Sequence, residues 1–195
     1  MIERSQPQLT APEPPGWLRR WQADGLSGEA AVARFDELPA LEPEAMLGRW
    51  RGASLATGHP LDGLLEAAGW YGKAMESVDR VHPLLFRRGA GPPVAVEPAL
   101  LPVGLALRLP ALGRSGLVRA LLAEGLPRLR TRRPAARLDS LPFRGKTSAA
   151  MVYRGQPIVD HFRRIDAIRV LGLMVYRPRP EPWFFFCLCR DPAPS

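Results

Sequence analysis

The stretch Trp183-Phe184-Phe185-Phe186-Cys187-Leu188 is apolar at six successive positions, and its reading decides the fold. Side chains of a β-strand point alternately to opposite faces, so a sheet with one wet face alternates apolar and polar residues. A run that is apolar at every position is buried on both faces. Four β-like runs lead up to it, Arg137–Arg144, Lys146–Arg154, Pro157–Ile165 and Ile168–Tyr176, and it opens a fifth, Trp183–Arg190. Gly145, Arg154-Gly155 and Asp166-Ala167 mark tight turns between them, and Arg177–Pro182 a proline-rich one. Connections this short join neighbouring antiparallel strands. Several of these strands are apolar on both sides. That predicts a sheet curled into a small antiparallel β-barrel, with helices outside or a hydrophobic ligand within. The expected class is mainly β with peripheral helices (α+β).

Upstream, Leu47–Ala56 reads as a strand stopped by Gly58 and Pro60. Trp17, Leu18 and Trp21 have helical spacing. Ser27 is placed to cap a second helix through Val32, Phe35 and Leu38, which Pro39 and Pro43 end. Leu61, Leu64, Leu65 and Ala68 predict a short amphipathic helix running to about Ala74. Val78–Arg87 reads as extended, with Pro83 at an edge or bulge. In the proline-punctuated stretch that follows, Val94–Val96 and Gly104–Leu109 read as strands, and Leu117–Leu126 as a helix. The expected organisation is a disordered lead-in over 1–15, N-terminal helices over 16–43 and a single barrel domain over 44–191. Within the barrel, 44–90 holds the first strand, 91–134 is an irregular, partly helical, Arg-rich connection and 135–191 is the meander.

A chain of 195 residues, 46% hydrophobic, is one domain with a full core. The longest proline-free stretch, Gly16–Leu38, excludes long helical bundles and coiled coils. No apolar run reaches about 18 residues, so no membrane-spanning helix is expected. Met-Ile-Glu-Arg-Ser-Gln-Pro lacks the charged-then-apolar layout of a signal peptide, and a cytoplasmic location is expected. A net charge of +8 and a pI near 10.6 point at first to nucleic acid. The excess is local, however: Arg114–Arg137 holds seven arginines against one acid, Glu124. Basic residues are also 25 arginines to two lysines, which reads as coding bias. No nucleic-acid partner is expected, and a role for the Arg-rich segment on an acidic partner is the weaker reading.

Cys187 and Cys189 share a strand face and are poorly placed to bond to each other. His59, His82 and His161 lie too far apart to suggest a metal site. There is no Walker loop, no Gly-x-Gly-x-x-Gly, no Gly-x-Ser-x-Gly elbow and no paired-His zinc motif. Phosphoryl transfer, dinucleotide redox chemistry and serine hydrolysis therefore have no footing.

Gly48-Arg49-Trp50-Arg51-Gly52 is similar to the signature of the bacterial GXWXG-domain proteins. The likeness continues through Gly69-Trp70-Tyr71-Gly72-Lys73 and His82-Pro83-Leu84. A C-terminal domain of unknown function that usually accompanies it resembles Ala136-Arg137, Phe143-Arg144-Gly145-Lys146-Thr147-Ser148-Ala149, Pro157-Ile158-Val159-Asp160-His161-Phe162-Arg163 and Phe184-Phe185-Phe186 through Arg190. This resemblance implies fold and kinship, since the family carries no established chemistry. A Gly-x-Trp strand near the start of a barrel also resembles the lipocalin-like proteins. There the Trp closes one end of the barrel and hydrophobic ligands occupy the other, which implies a lipocalin-like barrel here. The longer Gly-x-Trp-x-Gly match resembles haem-binding nitrobindins too. Those continue with a glycine-rich strand, whereas this chain continues Ala53-Ser54-Leu55-Ala56, so no cofactor is expected.

Lys73 and Lys146 stand out in a chain that otherwise writes basic residues as arginine. A lysine amine can lose its charge when buried and a guanidinium effectively cannot. Each lysine is therefore a candidate for acid/base work or for holding an anionic head-group. The plainer alternative is a stem packed on aromatic neighbours such as Trp70 and Tyr71, with the ammonium in water. Asp160 and His161 are adjacent on a strand, face opposite sides and cannot form a dyad. Asp160 shares its face with Ile158 and Phe162. A carboxylate there must pair, with Lys146, Arg137 or Arg190 as possible partners, or act as a pocket acid or base.

The expected function is binding of a hydrophobic or amphipathic small molecule, lipid- or terpenoid-like, inside the barrel. Trp50, Met151, Met174, Phe184 and Phe186 would form apolar walls, with Trp50 also read as a barrel plug. Tyr153, Asp160 or His161, and Lys146 would fix the ligand's polar end, and Lys73 and Arg190 are further candidate ligand-binding residues. The alternative is a cyclase, isomerase or hydro-lyase on the same barrel, with Asp160, His161 and Lys146 as candidate acid/base groups. Both readings predict an enclosed, mostly apolar cavity.

Overall fold

Two helices, α1 (Gly16–Asp24) and α2 (Gly28–Glu37), open a computed structural model that describes residues 12–87, 89–101, 103–108, 125 and 129–191. Ser27 Oγ accepts the backbone N–H of Ala30 at 3.2 Å, which is the N-cap expected for α2. Nine strands follow: β1 (Gly48–Leu55), β2 (Trp70–Ser77), β3 (Arg80–Phe86), β4 (Val94–Ala95), β5 (Ala136–Phe143), β6 (Lys146–Tyr153), β7 (Ile158–Arg164), β8 (Arg169–Tyr176) and β9 (Phe184–Arg190). Every pairing is antiparallel. The sheet runs β2-β1-β9-β8-β7-β6-β5-β3-β4, and β2 also pairs with β3. That extra pairing closes eight strands into a barrel and leaves β4 as a short flank on β3. Closure removes the exposed sheet edges of an open sheet.

Two elements differ from the sequence reading. The helix expected to reach Ala74 is α3 (Leu64–Ala67), and Gly69 ends it with φ of +82°. A Cβ at Gly69 would stand 2.6 Å from the carbonyl oxygen of Arg87, so only glycine makes this turn into β2. The strand expected over Gly104–Leu109 is instead a helix, α4 (Val103–Arg108). A short, mostly apolar run carries no period that separates the two. The helix expected over Leu117–Leu126, much of Arg114–Arg137 and the lead-in up to residue 11 lie outside the described residues, apart from the few named above.

The barrel has one core inside and another outside. Trp50, Met75, Phe86, Met151, Phe162, Phe184, Phe186 and Leu188 pack within it. Outside, Leu18, Trp21, Ala31 and Phe35 of the two helices cover Leu171, Leu173, Phe185 and Cys187. The apolar run of β9 therefore buries alternate residues in the barrel and under α1 and α2. Each such side chain contributes about 1.5–3 kcal/mol when fully buried. Backbone and rings meet closely inside: a Cβ at Gly52 would lie 2.3 Å from the Trp70 indole, and one at Gly172 2.3 Å from the Phe186 ring.

One end of the barrel is stopped by Trp50. Its Nε1 donates to the Met46 carbonyl at 2.8 Å, at the end of a 3₁₀ turn, Pro43–Met46. The Arg190 guanidinium lies 4.4 Å above the Trp50 ring and donates to the carbonyls of Leu47 and Ala45 at 2.7 and 2.8 Å. Strand register places Phe184, Met174 and Ile158 towards the opposite end.

Candidate functional site

β2 and β3 pair with a break in register that builds the site. Gly72 stands opposite Leu85 but Ala74 opposite His82, so Lys73 faces both Pro83 and Leu84. This is the two-against-one count of a bulge, at the proline expected to mark one. Pro83 brings no N–H to the ladder, and its carbonyl accepts a proton of Lys73 Nζ at 3.0 Å. Nζ also donates to Tyr153 Oη at 3.0 Å and to Asp160 Oδ2 at 2.9 Å. Tyr153 Oη in turn donates to the same Asp160 oxygen at 3.1 Å.

The Lys73 and Asp160 side chains are 2% and 1% exposed. Lys73 is therefore not the surface lysine of the plainer reading, with its ammonium in water. Asp160 takes its ion pair from Lys73, not from Lys146, Arg137 or Arg190. The ammonium also sits 4.9 Å from the Phe186 ring centroid, 5.6 Å from Tyr153 and 5.8 Å from Trp70, where ring faces attract a cation. Burial, and then the neighbouring Asp160 carboxylate, push the Tyr153 hydroxyl well above the ordinary tyrosine range, so it keeps its proton. Asp160 Oδ1 is buried and has no hydrogen-bond partner.

These three side chains are among those lining a cavity of about 60 Å³. Its other walls are apolar: Trp70, Leu84, Ile158, Met174, Phe184 and Phe186, with the Trp70 N–H spent on the Gly72 carbonyl at 3.1 Å. Leu61, Leu65, Pro98, Leu101 and Val103 close it over. That cap is tied down by Gln156 Nε2, which donates to the carbonyls of Pro98 and Leu101 at 2.9 and 3.1 Å. Arg179 donates to the Leu107 carbonyl at 3.3 Å. An apolar cavity of about 150 Å³ is known to take benzene, so this one takes a guest of only a few heavy atoms. Phe184, Phe186 and Trp70 fill much of the space in which a bulky ligand was expected.

Two family models match the chain: GXWXG protein over residues 33–91 and a domain of unknown function (DUF4334) over residues 134–190. A crystal structure of a protein from Thermomonospora curvata has the same fold. It is 30% identical, with a TM-score of 0.64 over 90% of this chain and 96% of that one. The chain belongs to the GXWXG–DUF4334 family. No curated protein matches it.

The family's two segments each supply half of the buried cluster: Lys73 and Pro83 from the GXWXG part, Tyr153 and Asp160 from DUF4334. Within the GXWXG motif itself, Trp50 stands opposite Lys73 in the β1–β2 register and Gly52 makes room for the Trp70 ring that lies against the cavity. Of the residues expected at a site, Lys73, Tyr153, Asp160, Met174, Phe184 and Phe186 come together at the cavity. Met151 lies inside the barrel beside Asp160 on the paired strand but does not reach the cavity wall, and Trp50 and Arg190 belong to the plugged end. Lys146 lies outside the cluster and donates to the Asp36 and Leu38 carbonyls, closing the C-terminus of α2. His161 points to the outer face, stacked on Phe143 at 3.9 Å. Burial, with Arg163 nearby, pushes it down to about 4.

The lining residues that sequence reasoning missed are the cap, Leu61, Leu65, Pro98, Leu101 and Val103, with Leu84 beside the bulge, Trp70 and Ile158. Nothing in their spacing separates them from ordinary core. Among the described residues, no three His, Cys, Asp or Glu side chains converge as a metal site needs, and no helix is long and apolar enough to cross a membrane.

Proposed function

We propose that this barrel binds a small, largely apolar molecule bearing one polar group, held beneath the cap of Pro98, Leu101 and Val103 with the polar group at the Lys73–Tyr153–Asp160 cluster. The observation that carries this reading is the buried Asp160 carboxylate: it lines an otherwise apolar cavity and one of its oxygens is unpartnered. Pockets that select small molecules have this composition, apolar walls with a few fixed polar groups. A buried ion pair is weak as a stabilising device, because desolvation offsets most of its attraction. A core serving only stability would gain as much from apolar residues there.

The cavity sets a bound on the guest. A molecule larger than a few heavy atoms enters only when the cap gives way, and the cap rests on few hydrogen bonds to the barrel. Native mass spectrometry of the purified protein tests the proposal. The expected result is a stoichiometric small molecule lost on denaturation, or uptake of an added apolar probe at one per chain. Empty protein that takes up no probe would refute it.

One observation favours a second reading, acid/base catalysis. A carboxylate whose Oδ2 is fixed by Lys73 and Tyr153 keeps Oδ1 free to accept a proton from a bound substrate. An isomerase, cyclase or hydro-lyase would use Asp160 in that way, with Lys73 and Tyr153 the adjacent proton donors. Turnover of a candidate substrate that survives in Asp160→Asn would remove this reading.

A further inference from the structure

The donors of the polar cluster are all engaged, and one of its acceptors is not. Lys73 Nζ has three protons, and Pro83 O, Tyr153 Oη and Asp160 Oδ2 take all of them. The Tyr153 proton goes to Asp160 Oδ2. The Trp70 N–H goes to the Gly72 carbonyl. Among the described residues, every N–H and O–H donor of the side chains lining the cavity is therefore engaged within the protein. What is left is an acceptor on a cavity-lining side chain, Asp160 Oδ1, buried and unpartnered.

Charge points the same way. The ammonium and the carboxylate balance each other, so a neutral guest leaves the buried pair neutral. An anionic guest would bring a second negative charge beside Asp160 with no free donor among the described residues to receive it, and burying an uncompensated charge is costly. We infer that the guest is a neutral hydrogen-bond donor, an apolar alcohol or phenol whose O–H binds Asp160 Oδ1, and not a fatty acid or other carboxylate. This rests on the pocket proposed above. It also reverses the simplest expectation for a buried lysine, which is an anionic head-group held by its ammonium.

A matched set of probes tests it by titration calorimetry at neutral pH: cyclohexanol, methylcyclohexane and cyclohexanecarboxylate, with the smaller 1-propanol and propionate alongside. Wild-type protein is expected to bind each alcohol at least about tenfold tighter than the carboxylate or alkane of similar size, the worth of one hydrogen bond to a charged acceptor. Asp160→Asn is expected to shrink that preference. Because it leaves Lys73 buried without its counter-charge, folding is checked first. The apolar triple variant Lys73→Met/Tyr153→Phe/Asp160→Leu supplies the second arm and is expected to bind methylcyclohexane at least as well as cyclohexanol. If all wild-type probes bind equally, the pocket stands and the donor rule falls. Tighter binding of the carboxylates overturns the rule outright. If no probe binds at all, the pocket reading fails and takes this inference with it.

Discussion

Lys73 Nζ and Asp160 Oδ2 lie 2.9 Å apart, 87 positions apart in sequence, on strands from the two family segments. With both side chains sealed from water, their pairing joins the halves of the barrel at the wall of its cavity. Removing either partner leaves the other charged and buried. Asp160→Ala and Lys73→Met are each expected to cost about 3–5 kcal/mol of stability. The triple variant Lys73→Met/Tyr153→Phe/Asp160→Leu should recover most of that loss. Urea unfolding checks it, and a triple variant no more stable than the single ones would contradict the pairing as described.

Acid should weaken the fold in a defined window. His59 and His161 are each pushed down to about 4, in both cases mainly by burial. Unfolded, each titrates near 6.5. Between those values the unfolded chain binds protons that the folded chain refuses, so stability falls as pH drops from about 6.5 towards 4. The expected loss is on the order of 2–3 kcal/mol per histidine. His161→Phe keeps the stack on Phe143 and should flatten its share of the slope, measured as unfolding free energy at pH 4.5 against pH 7.

Gly52→Ala should damage the site from a distance. Its new methyl would stand 2.3 Å from the Trp70 ring, which is fixed by its own N–H and by the Phe186 ring 5.9 Å away. Overpacking of this kind costs about 1–3 kcal/mol. A changed tryptophan emission spectrum together with a lowered melting temperature is the expected signature.

Lys146→Met separates the two lysines by role. It removes the donor closing the C-terminus of α2 and should lower stability by about 1 kcal/mol. Binding of an apolar probe should not change. A variant that folds normally but loses binding would place Lys146 in the site after all.

The barrel was legible because its strongest signals are local. Trp183–Leu188 carries its burial on both faces in six letters, and Gly145 or Gly155 marks a turn without help from elsewhere. β2 was hidden because Leu64, Leu65 and Ala68 continue a helical period towards Ala74, while the turn that breaks it depends on Arg87, a residue far along the chain. Lys73 could be singled out by its rarity among arginines and Asp160 by its apolar neighbours. Their pairing could not be read, since it depends on a bulge at Pro83 and on which strands close the ring. Lys146 shares the rarity of Lys73 but caps a helix, so rarity marks a position without naming its task.

The most direct test of the central claim compares 1-propanol titrations of wild-type protein and Met174→Trp, a substitution sized to fill the cavity from its own wall. Wild-type protein should bind one equivalent saturably, and Met174→Trp, folded and at least as stable, should bind none. Equal binding by both proteins would show that the cavity at Lys73 and Asp160 is not where a guest is held.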